Sequence, residues 1–126
     1  HEKNAGFSEA EKDSLYLPVD EADDAPTVAA QESDPGSLLH TVKSLLTLRH
    51  ANADLQADAA FEPVYAEKGA AAFVYRRGAL TVAVNPSGGT VTVPSVGQKS
   101  VIYSIGNGRW EEDRIILEPQ SFLVLE

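Results

Sequence analysis

The second half of this sequence alternates apolar and polar residues in short runs, separated by residues that form turns. Seven runs predict β-strands, at residues 62–66, 72–76, 80–85, 90–94, 100–104, 114–118 and 121–125. The connections are short, and Gly106-Asn107-Gly108 is a strong hairpin signal. Because no crossover helix fits between strands this close together, they must pair antiparallel. The sequence therefore predicts a mainly β protein, an antiparallel β-sandwich of about seven strands.

The same alternation predicts which side chains form the core of the sandwich. A strand directs successive side chains to opposite faces, so residues two apart share a face. Two apolar sets are predicted to face the core: Leu80, Val82 and Val84 on one strand, and Val101, Tyr103 and Ile105 on another.

A single long helix is predicted before the sandwich, at residues 35–52. Asp34 can cap its N-terminus, and Pro35 suits the first helical position because its missing N–H is not needed there. Arg49 lies within the apolar stripe and is expected to be partly buried and paired. The stripe covers nearly half of the circumference, more than one neighbour needs, and it predicts packing on two bodies or, where one is missing, self-association. Its members are Leu38, Leu39, Val42, Leu45, Leu46 and Leu48.

Residues 1–33 are polar and acidic, which predicts a loop without a core face that is poorly ordered unless other contacts hold it. The carboxylates at positions 20–24 are interpreted as solvated surface. A calcium site is the alternative, but the segment lacks the glycine turn and the distal glutamate of a helix-loop-helix site. The predicted organisation is a loop segment at 1–33, a helix at 34–55 and a β-sandwich at 56–126.

Composition excludes several classes of function. The net charge of −9 argues against a nucleic-acid partner, and no run of 18 apolar residues exists that would span a membrane. Without cysteine there is no disulfide framework, and His40 and His50 lack partners at ligand spacing, so neither a metal nor a cofactor is predicted. Methionine is absent even at position 1, which indicates a fragment. None of this fixes the compartment, for which the cytoplasm is the working assumption.

No catalytic residue is predicted within the chain. Glycosidic hydrolysis needs two facing carboxylates, one of them with a raised pKa, and the acidic residues here lie in a loop or at strand ends. No Gly-x-Ser-x-Gly elbow occurs, and no helix follows Gly106-Asn107-Gly108 as it would in a phosphate-binding loop. The chain is therefore not expected to be an enzyme by itself.

A series of short motifs resembles glycoside hydrolase family 13, the α-amylase superfamily. In order they are Asn4-Ala5-Gly6-Phe7-Ser8, Leu15-Tyr16-Leu17-Pro18-Val19, Val28-Ala29-Ala30-Gln31, Asp34-Pro35-Gly36-Ser37-Leu38-Leu39, Leu45-Leu46-Thr47-Leu48-Arg49, Phe73-Val74-Tyr75-Arg76-Arg77 and Val82-Ala83-Val84-Asn85-Pro86. The order is similar to the segment after the eighth barrel strand of α-glucosidases, followed by their C-terminal sandwich. The resemblance covers essentially the whole chain, and each motif alone is weak.

The resemblance implies that this chain is the non-catalytic C-terminal portion of a retaining α-glucosidase or α-amylase-type hydrolase or transglycosylase. Its partners would be the parent's (β/α) barrel, which carries the catalytic Asp and Glu residues, and the parent's α-glucoside or α-glucan substrate. The loop after strand eight borders the substrate cleft in that family, so Asn4 and Phe7 could lie near a bound glucoside; loop packing is the simpler interpretation. Trp110 could offer a surface platform for sugar or close one end of the sandwich.

Two other classes of function stay open at this point. One is a free-standing carbohydrate-binding sandwich with Trp110, Tyr103 or Tyr75 as its platform, although the alternation places both tyrosines on core faces. The other is an acidic protein-interaction module, which only the net charge supports.

Overall fold

The computed structural model describes residues 2–95, 97 and 100–126, so His1, the first residue of the predicted loop segment, lies outside the described residues. The chain divides into two compact units, His1–Arg49 and His50–Glu126. Each unit is described by itself.

The second unit is an antiparallel β-sandwich, as predicted. Its eight strands are β1 Phe61–Tyr65, β2 Phe73–Arg77, β3 Leu80–Asn85, β4 Val91–Pro94, β5 Val101–Ile105, β6 Arg109–Glu111, β7 Arg114–Leu117 and β8 Ser121–Leu125. Five form one sheet in the order β1-β2-β3-β8-β5, and three form a second sheet in the order β4-β7-β6. Each described strand pair is antiparallel. The sequence missed β6, because three residues directly after Gly106-Asn107-Gly108 are too few to show alternation.

The hydrophobic core lies between the two sheets. Val74, Ala83 and Leu123 from the five-stranded sheet meet Ile115 and Leu117 from the three-stranded sheet in one buried cluster. Leu80 and Val82 are buried as predicted, but successive residues point to opposite faces, so the predicted sets lie on the side of the five-stranded sheet that faces away from this cluster. Those sets are Leu80, Val82 and Val84, and Tyr103 and Ile105. Val101 is exposed beside a register shift in β5.

The cause is the composition of β3, in which both faces can be buried. Leu80 and Val82 are buried on the outer face of the five-stranded sheet, while Thr81, Ala83 and Asn85 are buried on the inner face. The sequence pattern alone favours as the core face the one with the larger apolar side chains. Here the smaller side chains face the other sheet.

The first unit contains two helices and two short 3-10 turns, at Lys3–Gly6 and Lys12–Ser14. Helix α1 spans Val28–Ser33, a stretch predicted to be loop. Thr27 caps it, because its hydroxyl oxygen accepts a hydrogen bond from the Ala30 N–H at 3.2 Å. Good helix formers follow that cap, and this local signal outweighs the polar composition of the surrounding segment.

Helix α2 spans Leu38–Ala51, so the predicted start at Pro35 is three residues too early. The Asp34 carboxylate accepts a hydrogen bond from the Gly36 N–H at 2.8 Å, and the Ser37 N–H donates to the Asp34 carbonyl at 3.0 Å. These bonds form a turn before the helix. Ser37 is the cap instead, since its buried hydroxyl accepts a long hydrogen bond, 3.4 Å, from the His40 N–H.

No residue of α2 is buried, and one edge of its apolar stripe is open. Leu38, Val42 and Leu46, one turn apart, are 71%, 45% and 48% exposed. Leu39, Leu45 and Leu48 on the other edge are half-buried. Arg49 was predicted to be partly buried but is exposed, because it continues the open edge. None of the helices in the described part of the chain is long and apolar enough to cross a membrane.

Candidate functional site

A tight loop at the start of the first unit is built around Asn4. Asn4 is buried, and its side-chain N–H₂ donates to the carbonyl oxygens of Ser8 at 2.7 Å and Ala10 at 2.8 Å. Both amide hydrogens are used within the loop. The structure therefore places Asn4 inside the loop, where it holds the backbone around the neighbouring Phe7.

The backbone of this loop is strained. Asn4, Ala5 and Gly6 have φ of 50°, 54° and 83°, so three successive residues are left-handed. Such a conformation costs roughly 1–2 kcal/mol for a residue with a Cβ, with asparagine more tolerant than alanine. Only glycine fits at position 6, because a Cβ there would lie 2.9 Å from the Val28 Cβ of α1. The loop is thus held by packing as well as by Asn4.

Phe7 projects from this loop and is 74% exposed. It lines a cavity of about 520 Å³. Residues 15–19 also line this cavity, and among them Tyr16 is 97% exposed and Leu17 is 69% exposed. This cavity, the groove, is lined mostly by apolar residues, among them the aromatic side chains of Phe7 and Tyr16.

A second cavity, about 600 Å³, adjoins the groove and shares Asn4, Pro18 and Asp20 with it. Its rim carries four carboxylates and two ammonium groups. Lys3 pairs with Glu11 at 2.8 Å, and Lys12 pairs with Glu21. The hydrogen bond from Lys12 lowers the pKa of Glu21 below its ordinary value.

The acidic segment beside these cavities is organised by its own backbone. The Asp20 carboxylate accepts a hydrogen bond from the Ala22 N–H at 3.0 Å, which closes a small turn. Within residues 2–95, 97 and 100–126, no group of three or more His, Asp or Glu side chains is placed to hold a metal ion.

Trp110 lies in β6 and is half-buried against the core cluster. Its indole N–H donates to the Ser95 hydroxyl at 3.1 Å. This contact joins β6 to Ser95, the residue that follows β4. The sugar platform predicted for Trp110 stays a prediction.

Two glutamates on the three-stranded sheet are held by arginines. Glu111 contacts Arg114 at 2.5 Å and Arg109 at 3.3 Å. Glu118 accepts from the Thr90 hydroxyl at 2.6 Å and from Arg109 at 3.2 Å. The bond from Arg114 lowers the pKa of Glu111, and the bond from Thr90 lowers the pKa of Glu118. A general acid needs a raised pKa, so these groups act as ion-pair partners.

An aromatic ladder crosses the outer face of the five-stranded sheet. The ring centroids of Phe61 and Tyr75 are 5.3 Å apart, and those of Phe73 and Tyr75 are 5.2 Å apart. Tyr103 contacts Phe122 edge-on, with centroids 6.3 Å apart. Tyr75 and Tyr103 therefore lie opposite the inter-sheet core, and their predicted core position is wrong for the reason given for β3.

Solved structures with a similar fold include enzymes that convert sucrose. A mutant of isomaltulose synthase from Erwinia rhapontici NX5, in complex with its natural substrate sucrose, matches 98% of this chain at 18% identity, with a TM-score of 0.76. A mutant of MutB, a trehalulose synthase, from crystals soaked with trehalulose matches 98% at 16% identity, with a TM-score of 0.77. The chain covers only 23% of each of those chains. At such identities the likeness shows the fold.

No family model and no curated protein matches the sequence.

The sequence predicted Phe7 but not Tyr16 as a site residue, although both line this cavity. The available signal was the apolar run Leu15-Tyr16-Leu17-Pro18-Val19 in an otherwise acidic segment. The run was interpreted as part of a loop without a face. The concave surface that it forms with residues 4–8 requires the left-handed turn at Asn4, which is not visible in composition.

Proposed function

We propose that this chain is the non-catalytic C-terminal portion of a glycoside hydrolase family 13 enzyme of the α-glucosidase/α-amylase type. The parent would act on α-glucosides, by hydrolysis or by transfer with retention. The observation that carries the proposal is the match of 98% of the chain, both units included, to a sucrose-converting synthase of which it spans only 23%. The order of the family-like motifs along the sequence supports it.

The open edge of α2 supports a structural role beside a larger body. Leu38, Val42 and Leu46 are apolar and exposed in a line along the helix. Each large aliphatic side chain left in water forgoes about 1.5–3 kcal/mol of burial. In the proposed parent the catalytic barrel covers this edge; in the isolated chain a second copy covers it.

The test begins with the encoded polypeptide around this chain. We expect an upstream (β/α) barrel with an Asp nucleophile and a Glu acid/base, and turnover of α-glucosides such as maltose, isomaltose or sucrose by the longer protein. The 126-residue chain alone should show no turnover above a buffer blank. Activity that survives purification of the isolated chain, or an upstream sequence without a barrel, would refute the proposal.

The role of α2 has its own measurement. Sedimentation of the isolated chain should show concentration-dependent association, and the variant Leu38→Glu/Val42→Lys/Leu46→Glu should be monomeric with an unchanged β-sheet circular dichroism spectrum. In the longer protein the same variant should lower the melting temperature. A monomeric wild-type chain with this edge protected from hydrogen exchange would contradict the assignment.

A free-standing carbohydrate-binding module is the second candidate, and the aromatic ladder favours it. Phe61 is more than half exposed and continues the stacked pair Phe73–Tyr75. Calorimetry with maltooligosaccharides tests this function, since it requires saturable binding that Phe61→Ala removes. Binding that persists in Phe61→Ala would exclude the ladder as the platform.

A further inference from the structure

We propose that Asn107 is a site of spontaneous covalent modification, at which the backbone nitrogen of Gly108 cyclises onto the Asn107 side chain and converts it to isoaspartate and aspartate. The motif Gly106-Asn107-Gly108 predicts a hairpin, but the segment connects β5 of one sheet to β6 of the other. The chemistry of this connection does not depend on the proposed function.

The reaction is an attack by the main chain on the preceding side chain. The Gly108 nitrogen bonds to the side-chain carbonyl carbon of Asn107 and loses its proton, while the bond from that carbon to the side-chain nitrogen breaks and ammonia leaves. The product is a five-membered cyclic imide. Water then opens the imide at either of its two carbonyl groups, so the main chain runs through the α-carbonyl, as in aspartate, or through the side-chain carbonyl, as in isoaspartate. Water is the co-reactant, and nothing is oxidised or reduced.

Both reacting groups are accessible at this position. Asn107 is exposed to water. Among the residues that the structure describes, none forms a hydrogen bond with the Asn107 side chain or with the Gly108 N–H. Glycine also has no Cβ to hinder the approach of its nitrogen to the preceding side chain. The amide carbon and its nucleophile can therefore meet without breaking a contact of the fold.

The other three asparagines of the chain each lack at least one of these conditions. Asn85 is fully buried and precedes Pro86, whose nitrogen carries no hydrogen. Asn4 is buried and donates both amide hydrogens to carbonyl oxygens of its own loop. Asn52 precedes Ala53, which has a Cβ and begins a 3-10 turn. The chain therefore supplies its own controls for the reaction at position 107.

The glycines on both sides of Asn107 are required by packing. A Cβ on Gly108 would lie 2.8 Å from the Cγ of Leu123, which is fully buried in the core. Gly106 has φ of 68°, and a Cβ there would lie 3.0 Å from the carbonyl oxygen of Gln120. The core thus retains the glycine that makes Asn107 reactive. Isoaspartate would add a methylene to the main chain between these two packed positions, so its formation should loosen the connection between the sheets.

The experiment incubates the folded, full polypeptide that carries this chain, digests it with trypsin at mildly acidic pH, and measures the peptides by mass spectrometry. Each asparagine falls in a tryptic peptide of its own, at residues 4–12, 50–68, 78–99 and 100–109. Peptide 100–109 should exchange an amide NH₂ for OH at least about 10-fold faster than the other three, and chromatography should separate its two isomers. The rate should rise from about pH 6 to about pH 8, because the deprotonated nitrogen is the nucleophile.

Asn107→Gln is the matched control. Its longer side chain would have to close a six-membered ring, which forms far more slowly. This variant should begin with the melting temperature of the wild type and keep it during incubation. The wild type should lose melting temperature as isoaspartate accumulates.

Three results would overturn the proposal. If peptide 100–109 reacts when free but stays unmodified in the folded protein, the fold holds Asn107 in an unreactive conformation. Modification at Asn52 as fast as at Asn107 would show that the glycine is not the cause. A melting temperature that falls equally in Asn107→Gln would refute the effect on the connection between the sheets.

Discussion

The side-chain amide nitrogen of Asn85 lies 3.0 Å from the carbonyl oxygen of Leu117, and this hydrogen bond joins β3 of one sheet to β7 of the other. The same nitrogen contacts the carbonyl oxygens of Gly89 at 2.8 Å and Glu118 at 3.1 Å. The side-chain oxygen of Asn85, Oδ1, accepts hydrogen bonds from the Ser87 N–H and the Ser87 hydroxyl. The fully buried side-chain amide of Asn85 therefore hydrogen-bonds to the loop after β3 and to the end of β7, and so links the two sheets.

We predict that Asn85→Ala lowers the free energy of unfolding by at least about 2 kcal/mol, because it removes a fully buried amide together with its hydrogen bonds to the carbonyl oxygens of Leu117, Gly89 and Glu118. Asn85→Asp should be comparably damaging, since a carboxylate would face three carbonyl oxygens. Urea unfolding followed by circular dichroism measures both. Asn107→Ala is the matched control and should change stability by less than about 0.5 kcal/mol. Asn107 is exposed in the connection from β5 to β6, which lie in different sheets, so the hairpin predicted there from Gly106-Asn107-Gly108 is wrong. A small effect at Asn85 would mean that water replaces the amide.

Gly78→Ala should destabilise the β2–β3 hairpin strongly. Gly78 has φ of 55°, and a Cβ there would lie 2.1 Å from the Asp54 carboxylate, which accepts a hydrogen bond from the Ala79 N–H at 2.9 Å. The left-handed backbone costs about 1–2 kcal/mol for alanine, and displacing Asp54 adds about 1 kcal/mol. Gly88→Ala, with open space around it and no left-handed φ, is the control. Because Asp54→Ala relieves the clash, the two changes together should cost less than their sum.

Acidification should weaken the three-stranded sheet through Glu111 and Glu118. Their pKa values are lowered in the folded state from the ordinary 4.5, so their contribution to stability is present above that value. It is lost as the pH falls through 4.5 towards the lowered pKa, because the folded state then takes up fewer protons than the unfolded state.

The measurement is a carboxyl-carbon NMR titration combined with urea unfolding between about pH 6 and pH 3. Thr90→Val removes the largest cause of the shift at Glu118 and should raise its pKa towards the ordinary value. High salt should reduce the part that depends on Arg109 and Arg114. A Glu118 pKa unchanged in Thr90→Val would show that this hydrogen bond is not formed in solution.

Trp110→Ala should cost about 2–3 kcal/mol of stability, somewhat less than truncation of a fully buried tryptophan. The ring packs on the core, and its N–H is bonded to Ser95. Trp110→Phe keeps a ring but loses the hydrogen bond and part of the packing volume, and should cost at least about 1 kcal/mol. Denaturant unfolding reads both variants. A maltooligosaccharide titration that saturates in the wild type and vanishes in Trp110→Phe would instead make the indole a sugar platform.

Asn4→Ala should loosen the loop at residues 4–10 without unfolding the sandwich. The carbonyl groups of Ser8 and Ala10 lose their donor, and Ala5 loses the contacts that hold its left-handed backbone. Amide hydrogen exchange at Ala10 should accelerate, while exchange in β3 and β8 stays slow. Unchanged exchange throughout the loop would mean that packing against α1 alone holds it.

The sequence predicted the sandwich well because strand alternation and turn residues are local signals. It failed where two faces of one strand are both buried. In β3, Ala83 and Asn85 face the other sheet although Leu80 and Val82 look more like core. Which face of β3 packs against the other sheet depends on its pairing with β2 and β8. The sequence of β3 alone does not determine that pairing.

The start of α2 and the groove failed for a related reason. Asp34-Pro35 is a sound helix-start signal, but the Asp34 side chain bonds to Gly36 and forms a turn, and Ser37 caps the helix. Phe7 was found from resemblance, whereas Tyr16, which lines the same cavity, was not. The three left-handed residues that precede Phe7 cannot be read from composition. The Asp34 side chain could cap the helix or close a turn, and the surrounding structure decides which of these hydrogen bonds forms.

The position of β8 in the five-stranded sheet sets the order in which a ribosome can complete the fold. β8 lies between β3 and β5, so β5 has no neighbour within that sheet until Ser121–Leu125 has been synthesised. During translation β1, β2 and β3 can pair early, but one edge of β3 and the whole of β5 stay unpaired until β8 is made. A nascent chain stopped before β8 exposes unpaired strand edges, which favour aggregation. The sandwich is therefore assembled late, by its final strand, and not progressively as each hairpin emerges.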